Sequence, residues 1–275
     1  MAADRAEGIV VVAAHPDDEV LGVGGTIAGA LANGRRVRVV LLTDGGASHP
    51  DGPVSPDRLA VLRARETEEA LADLANDRPA TWDPVGPDQA ASGAAMAGPA
   101  APGPETSKMS ADRPATEGPS IESFERLGAA SAVVDVVRLG LPDTAVAAHE
   151  AAACTALVPL LAGFELCLAP WSHDLHADHE AAGRLAARAC HQAGTRHAQY
   201  PVWMWHWGRP GDSRVPWSRA VRVDLAPHTL VRKEQAIGRF ATQIAALAPG
   251  EDDRVILPPE ELAHFTRPFE VLFRC

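Results

Sequence analysis

The sequence predicts an α/β fold in three layers, a mostly parallel sheet flanked by helices. Two observations carry that expectation. Short apolar runs, Ile9 to Ala14 without interruption and Val37 to Thr43 with Arg38 as its one charge, lack the two-residue alternation of a strand with one wet face. Strands covered on both faces read this way. Such runs alternate with Ala/Leu-rich stretches long enough to cross back as helices, the βαβ pattern. A third observation places the chemistry. His15-Pro16-Asp17-Asp18-Glu19 follows the first run, and Ser172-His173-Asp174-Leu175-His176-Ala177-Asp178-His179 follows the run Phe164 to Ala169. In open parallel sheets, ligands sit beyond the carboxyl ends of strands.

Taken in order, Gly8 to Ala14 is the first strand. A helix is expected from near Gly24 to the Asn33-Gly34 stop. Gly22-x-Gly24-Gly25 can be read as a dinucleotide fingerprint, but the GxGxxG spacing is missing and the acidic residues precede the glycines instead of following about 20 residues later, so a tight turn that lets backbone approach the polar corner is the favoured reading. Val37 to Thr43 is the second strand. The loop after it, Thr43-Asp44-Gly45-Gly46-Ala47-Ser48-His49-Pro50, is either an Asp-Gly turn or a pocket loop bringing Asp44 and His49 to a substrate. Asp57 to Leu74 is the clearest helix. On it, Arg63 and Glu66 lie one turn apart, a spacing that also suits a surface ion pair worth about 0.3–0.5 kcal/mol.

Residues 76–120 are crowded with Pro, Gly, Ala and Ser and show no apolar period, so a disordered insertion is expected. Ile121 to Ala130 fits neither template. Ala132 to Leu139 is a strand that ends near Asp143, by default a turn-capping Asp. Glu150 to Leu161 and Ala181 to Ala193 are helices, and Gln199 to Val202 and Val221 to Leu225 are short strands. Thr229 to Leu247 is expected as one helix, and the remainder to Cys275 carries no motif. Tyr200, Trp203, Trp205, His206 and Trp207 cluster in a chain only 5% aromatic. They form either a packed edge or a stacking wall for a sugar ring.

Bulk properties narrow the class. With 275 residues and 46% hydrophobic content, the chain suits a single α/β domain, residues 1–275, with one insertion. The formal net charge of −11 argues against tracking nucleic-acid phosphates. It equally disfavours anionic lipid surfaces. No apolar stretch approaches the roughly 20 residues of a membrane span. The N-terminus lacks a signal peptide's regions, and four cysteines without CxxC spacing fit a reducing, cytoplasmic setting.

Three carboxylates in three consecutive positions at a strand end repel one another, and a divalent cation resolves that cost. His with Asp suits Zn²⁺ or a similar ion, and two His with one carboxylate and an open position is a catalytic ligand set.

On these residues the chain resembles the PIG-L/LmbE family of zinc-dependent de-N-acetylases. The two motifs carry the resemblance, supported by Leu42-Thr43-Asp44-Gly45, Arg63-x-x-Glu66, Leu139-Gly140-Leu141-Pro142-Asp143, and Lys233-x-x-Ala236 with Gln243. It implies a Rossmann-like, LmbE-like fold and removal of an N-acetyl group from an amino sugar or glycoconjugate. The implied metal, Zn²⁺ or another divalent ion such as Fe²⁺, has ligands His15, Asp18 and His179. Asp17 is the implied general base, a cationic His176 the oxyanion stabiliser and acid, and Asp178 the residue that orients His176. Arg63 is an implied substrate contact, with Asp44, His49 and Tyr200 as further substrate-binding candidates. Relatives often carry Gly-His-Pro-Asp-His where this chain has Leu175-His176-Ala177-Asp178-His179. Where some relatives polarise the carbonyl with a tyrosine, Asp174 stands here, so the role is absent or falls to Tyr200. The expected partner is a small N-acetylated sugar. Two other readings stay open: an amidase of a sugar–thiol conjugate, and a nucleotide-binding α/β protein without hydrolase activity.

Overall fold

The computed structural model describes residues 8–76, 123–127, 134–248 and 255–275. The insertion expected over 76–120 lies, from residue 77 on, outside the described residues. Five strands run parallel: β1 (Gly8–Ala13), β2 (Arg36–Thr43), β4 (Val134–Leu141), β5 (Leu166–Pro170) and β6 (Arg196–Tyr200). β3 (Ser123–Leu127) pairs antiparallel with β4 at one edge. At the other edge, β8 (Phe269–Arg274) runs antiparallel to both β6 and β7 (Ala220–Asp224). The order is β3-β4-β2-β1-β5-β6-β8-β7. The mostly parallel expectation holds, and the region after 247, read as free of motif, contributes β8. Ile121 to Ala130, which fits neither template by sequence, contains β3.

β1 shows why its run has no polar alternation. Ile9, Val11 and Ala13 pack into one core with α1 (Asp18–Ala32), α2 (Pro56–Ala75) and α6 (Pro227–Ile237). Val10, Val12 and Ala14 pack into the other with α3 (Glu150–Leu160) and α4 (Ala177–Ala193). Each fully buried Val or Leu on these faces contributes about 1.5–3 kcal/mol. Among the described residues, no helix is long and apolar enough to cross a membrane.

The first helix departs from expectation in an instructive way. It begins directly at Asp18, not near Gly24, but its backbone breaks at Val23 (φ −141°, ψ 22°). The expected start is therefore that of a second segment. A break releases amide groups as a helix N-terminus does. Glu270 of β8 receives them: its carboxylate accepts from the amides of Gly25 (2.7 Å) and Thr26 (2.9 Å), and from Thr26 Oγ1 (2.7 Å). Lys233 Nζ of α6 completes the cluster at 2.7 Å, and both side chains are buried. The helix expected over Thr229 to Leu247 likewise divides, into α6 and α7 (Ala241–Ile244), because Gly238 ends the first and Phe240 turns into the core.

Gly22 answers to packing, since a Cβ there would lie 2.2 Å from the Tyr200 ring. Tyr200 is fully buried beneath it and donates its hydroxyl to Val12 O at 2.7 Å.

Lys233→Met strands a buried carboxylate, so it is expected to lower the unfolding free energy by about 3–5 kcal/mol in chemical denaturation. Lys233→Met/Glu270→Leu is expected to recover little of that loss, since the Gly25 and Thr26 amides lose their acceptor.

Candidate metal centre and active site

β1 has β2 on one side and β5 on the other, so the chain order reverses between β1 and β5. That switch point brings the two polar corners together. His15 and Pro16 leave β1, Asp18 opens α1, and residues 171–176 lead from β5 into α4, whose first turn carries His179. Three non-glycine residues among those described have positive φ: Asp17 (124°), Thr144 (67°) and Leu175 (61°). All three are in these corners or the loop facing them. Such conformations cost on the order of 1–3 kcal/mol each and persist where the surroundings impose them.

The three expected ligand side chains form a triangle, in which Asp18 faces the two imidazoles with different oxygens. His179 Nε2 lies 3.2 Å from Asp18 Oδ1 and 3.3 Å from His15 Nδ1, and His15 Nδ1 lies 3.5 Å from Asp18 Oδ2. Metal–ligand bonds of about 2.0–2.2 Å set tetrahedral donors about 3.3–3.6 Å apart, so these groups fit a Zn²⁺-like cation. The opposite ring nitrogens are fixed by carboxylates. His179 Nδ1 is 2.7 Å from Asp174 Oδ2, and His15 Nε2 is 3.3 Å from both Asp178 Oδ2 and Asp143 Oδ1. A proton on each of those nitrogens leaves His179 Nε2 and His15 Nδ1 as lone-pair donors. His15, His176 and His179 also offer ring nitrogens within 4.8 Å of one another.

Charge is tightly managed here. Burial alone raises the Asp18 carboxyl, but His179 and His15 hold it well below its usual range. Burial lowers His179, and Asp18 with Asp174 more than reverses this, to about 9. Asp17, buried and opposed only by Arg63 and the imidazoles, is pushed up to about 7. Burial also drives Glu19 up to about 8.

Several expectations are corrected by this geometry. Asp178 does not orient His176: its carboxylate serves His15 and accepts from the amides of Thr144 (2.8 Å) and Val146 (3.1 Å). His176 Nδ1 is buried with no partner among the described residues. Burial, and then the neighbouring His179 and His15, push His176 down to about 4, which disfavours the expected imidazolium. Tyr200 is no substrate contact, being wholly buried under Gly22. Asp44 is exposed and off the cavity wall, where it caps its own turn through Gly46 N at 2.9 Å. His49 does line the cavity. Asp143 has a larger part than a turn cap, and its contact with His15 holds it down to about 2 against burial.

Asp174 is a hub that the sequence does not reveal. It is fully buried and accepts from the amides of Val202, Trp203 and Met204 as well as from His179, at 2.7–3.3 Å. Its position in the corner before a ligand helix is the only signal the sequence offers.

The cavity over this cluster measures roughly 750 Å³. Asp17, His176 and Arg63 reach it, with Leu21, Trp203 and Leu257 among its apolar lining. Of the aromatic cluster, Trp203 and His206 line it, with stacked rings 4.5 Å apart. Trp207 instead stacks on buried Trp171, and Trp205 packs under Arg267.

Comparisons with known proteins agree with this architecture. Residues 10–112 match the family described as PIG-L: GlcNAc-PI de-N-acetylase. A diacetylchitobiose deacetylase of Thermococcus kodakarensis is 41% identical over 66 residues, 24% of this chain. That alignment spans 24%, about a quarter, of the relative's length. A solved N,N'-diacetylchitobiose deacetylase from Pyrococcus horikoshii, complexed with its inhibitor MPG, superposes with a TM-score of 0.57 at 18% identity, over 97% of this chain and 84% of that one. The deacetylase of the antimicrobial A40926 pseudoaglycone also gives 0.57 at 18% identity, over 98% and 97%. These structural likenesses establish the LmbE-like fold.

Asp174→Ala is expected to weaken Zn²⁺ binding about 10–100-fold in a competitive chelator titration, because His179 loses its anchor. Leu175, 59% exposed at φ 61°, takes the backbone form glycine prefers. Leu175→Gly is therefore expected to add about 0.5–1 kcal/mol in denaturant unfolding, the relief of left-handed strain less glycine's extra entropy.

Proposed function

We propose that this chain, which carries a PIG-L family domain over residues 10–112, is a divalent-metal-dependent hydrolase that removes the N-acetyl group from an amino sugar or glycoconjugate. The observation that carries the reading is the donor triangle of His15, Asp18 and His179, each imidazole backed by a carboxylate, with Asp17 next in the chain and the cavity above. The reading takes the described residues as one catalytic domain interrupted by the 76–120 insertion.

A divalent cation on His15, Asp18 and His179, Zn²⁺ or Fe²⁺, would polarise the acyl carbonyl and bring the pKa of a water to about 7. Asp17 takes the proton of the attacking water; its Oδ2 is held by Arg63 at 3.0 Å, which leaves Oδ1 for that proton. The proton Asp17 accepts is the one the departing nitrogen needs: His176 receives it as charge develops and delivers it to the amine as the C–N bond breaks, which leaves Asp17 a carboxylate again. The cost of an unpartnered Nδ1 in the resting state fits a group whose partner arrives with the substrate. His49 and Trp203 lie on the wall available to the sugar.

The dinucleotide reading loses its basis, since Gly22 and Gly25 face Tyr200, Leu225 and Glu270 where a cofactor's phosphates would need open backbone. The relatives named above act, by their descriptions, on diacetylchitobiose and on the A40926 pseudoaglycone, and the first, an N-acetylated sugar, fits the proposal directly. A sugar–thiol amide would meet the same catalytic groups.

Protein loaded with Zn²⁺ or Fe²⁺ is expected to release free amine from N-acetylglucosamine conjugates, and chelation is expected to abolish turnover until metal is restored. Asp17→Asn is expected to retain about one metal per chain and lose about 10²–10⁴-fold in kcat. Failure of fully metallated protein to release amine from any N-acylated amino-sugar conjugate would overturn the reading. Turnover restricted to thiol conjugates would redirect it to the amidase.

A further inference from the structure

Arg63 is placed where the expected substrate contact would be, yet its hydrogen bonds turn inward. It is 2% exposed. Nη1 donates to Gly45 O at 3.0 Å. Nη2 donates to Pro16 O and to Asp17 Oδ2, the latter at 3.0 Å. One nitrogen thus holds both the carbonyl that precedes Asp17 and the Asp17 carboxylate. Nε is buried and has no partner among the described residues, and the bonds of Nη1 and Nη2 go to the corner's own backbone and to Asp17, although the side chain borders the cavity.

Two further residues complete the arrangement. Gly45 has φ +68°, and a Cβ there would lie 2.2 Å from Arg63 Nη1. Glycine is needed both for the turn and to let the guanidinium pass. On the opposite side of the corner, Glu19 Oε2 accepts the Asp17 amide at 3.1 Å. Glu19 is fully buried and is absent from the cavity wall. Between these contacts Asp17 sits at φ 124°, ψ −32°, a conformation its side chain disfavours.

We propose that Arg63, Glu19 and Gly45 form a clamp that imposes this conformation on Asp17 and so aims its carboxylate. Arg63 and Glu19 are then positioning residues acting through Asp17. The proposal rests on Asp17 being the base of the reaction above, but its structural half can be tested without turnover.

Kinetics and unfolding together decide it. With N-acetylglucosamine conjugates and metal-loaded protein, Arg63→Lys is expected to lower kcat at least tenfold with KM within about twofold, the signature of lost transition-state stabilisation without lost ground-state binding. Glu19→Leu is expected to give the same split although it touches no substrate, and Glu19→Gln, which keeps a carbonyl acceptor, to restore most of kcat. A raised KM with kcat retained in Arg63→Lys would return Arg63 to the substrate and overturn the clamp.

The second readout is thermal unfolding of Asp17→Gly in wild-type and Glu19→Leu backgrounds. If Glu19 imposes strain, glycine relieves it only while Glu19 is present. The midpoint shift caused by Asp17→Gly is then expected to be more favourable in wild type by about 2 °C or more. Equal shifts in the two backgrounds would mean that Glu19 merely satisfies an amide, and the clamp falls. Should the wild type hydrolyse no N-acyl sugar, the reaction is refuted while the unfolding cycle still decides for or against the clamp.

Discussion

Burial of five carboxyl groups at the end of one sheet is the constraint on which the site depends. Asp17, Asp18, Glu19, Asp174 and Asp178 are all buried within the two corners. A buried carboxylate without partners is untenable, and each of these has found a different solution. Asp18 lies between two imidazoles. Asp174 gathers three backbone amides and a ring nitrogen. Asp178 takes two amides and the other face of His15. Asp17 has the guanidinium of Arg63, and Glu19 the Asp17 amide. The groups are interdependent, so removing one leaves another buried and unpaired. The triangle of His15, Asp18 and His179 is what remains pointing inward once the other contacts are made, and its spacing is compatible with a small divalent cation.

Local pattern in the sequence exposes only those features that depend on local pattern. Apolar runs followed by His and Asp locate the switch-point corners, and His15, Asp18 and His179 do converge there. Which carboxylate supports which histidine is hidden. Asp178 is two residues from His176, and proximity pairs the two. In the fold, however, Asp178 is buried at the start of α4 and points across the switch point to His15, 163 positions away. Tyr200 is another instance: as the chain's single tyrosine it invites a chemical role, yet its ring fills the space left by Gly22 and its hydroxyl ties β6 to β1. Arg63 and Glu66 have the spacing of one surface pair. They face different partners, Glu66 holding Thr242 at 2.6 Å and Arg63 the Asp17 corner. Each of these differences concerns long-range register, which residue spacing does not encode.

Substitution of Leu175 for the glycine common in relatives shows how such a departure is absorbed. The backbone takes the left-handed form at Leu175, and the His176 ring lies 4.9 Å from that of His15 and 4.5 Å from that of His179. The leucine side chain goes to solvent, and the cost of the residue is backbone strain next to the site.

The least obvious link runs from the C-terminal strand to the metal corner. Asp18 belongs to a short first segment of α1, separated from the rest by the break at Val23. Such a segment has few intrahelical bonds of its own, and its direction depends on what holds the break open. Glu270 does so from β8, 245 residues beyond Gly25, by accepting the amides that a continuous helix would have used, and Lys233 neutralises it from α6. On the other side of the break, Tyr200 presses on Gly22. The angle at which Asp18 meets His179 is therefore set by β8, α6 and β6 jointly, none of which carries a metal-binding motif. This gives Lys233, which the family resemblance singles out without a role, a physical reason to be where it is. It also makes the C-terminal stretch, featureless in sequence, part of the support of the site.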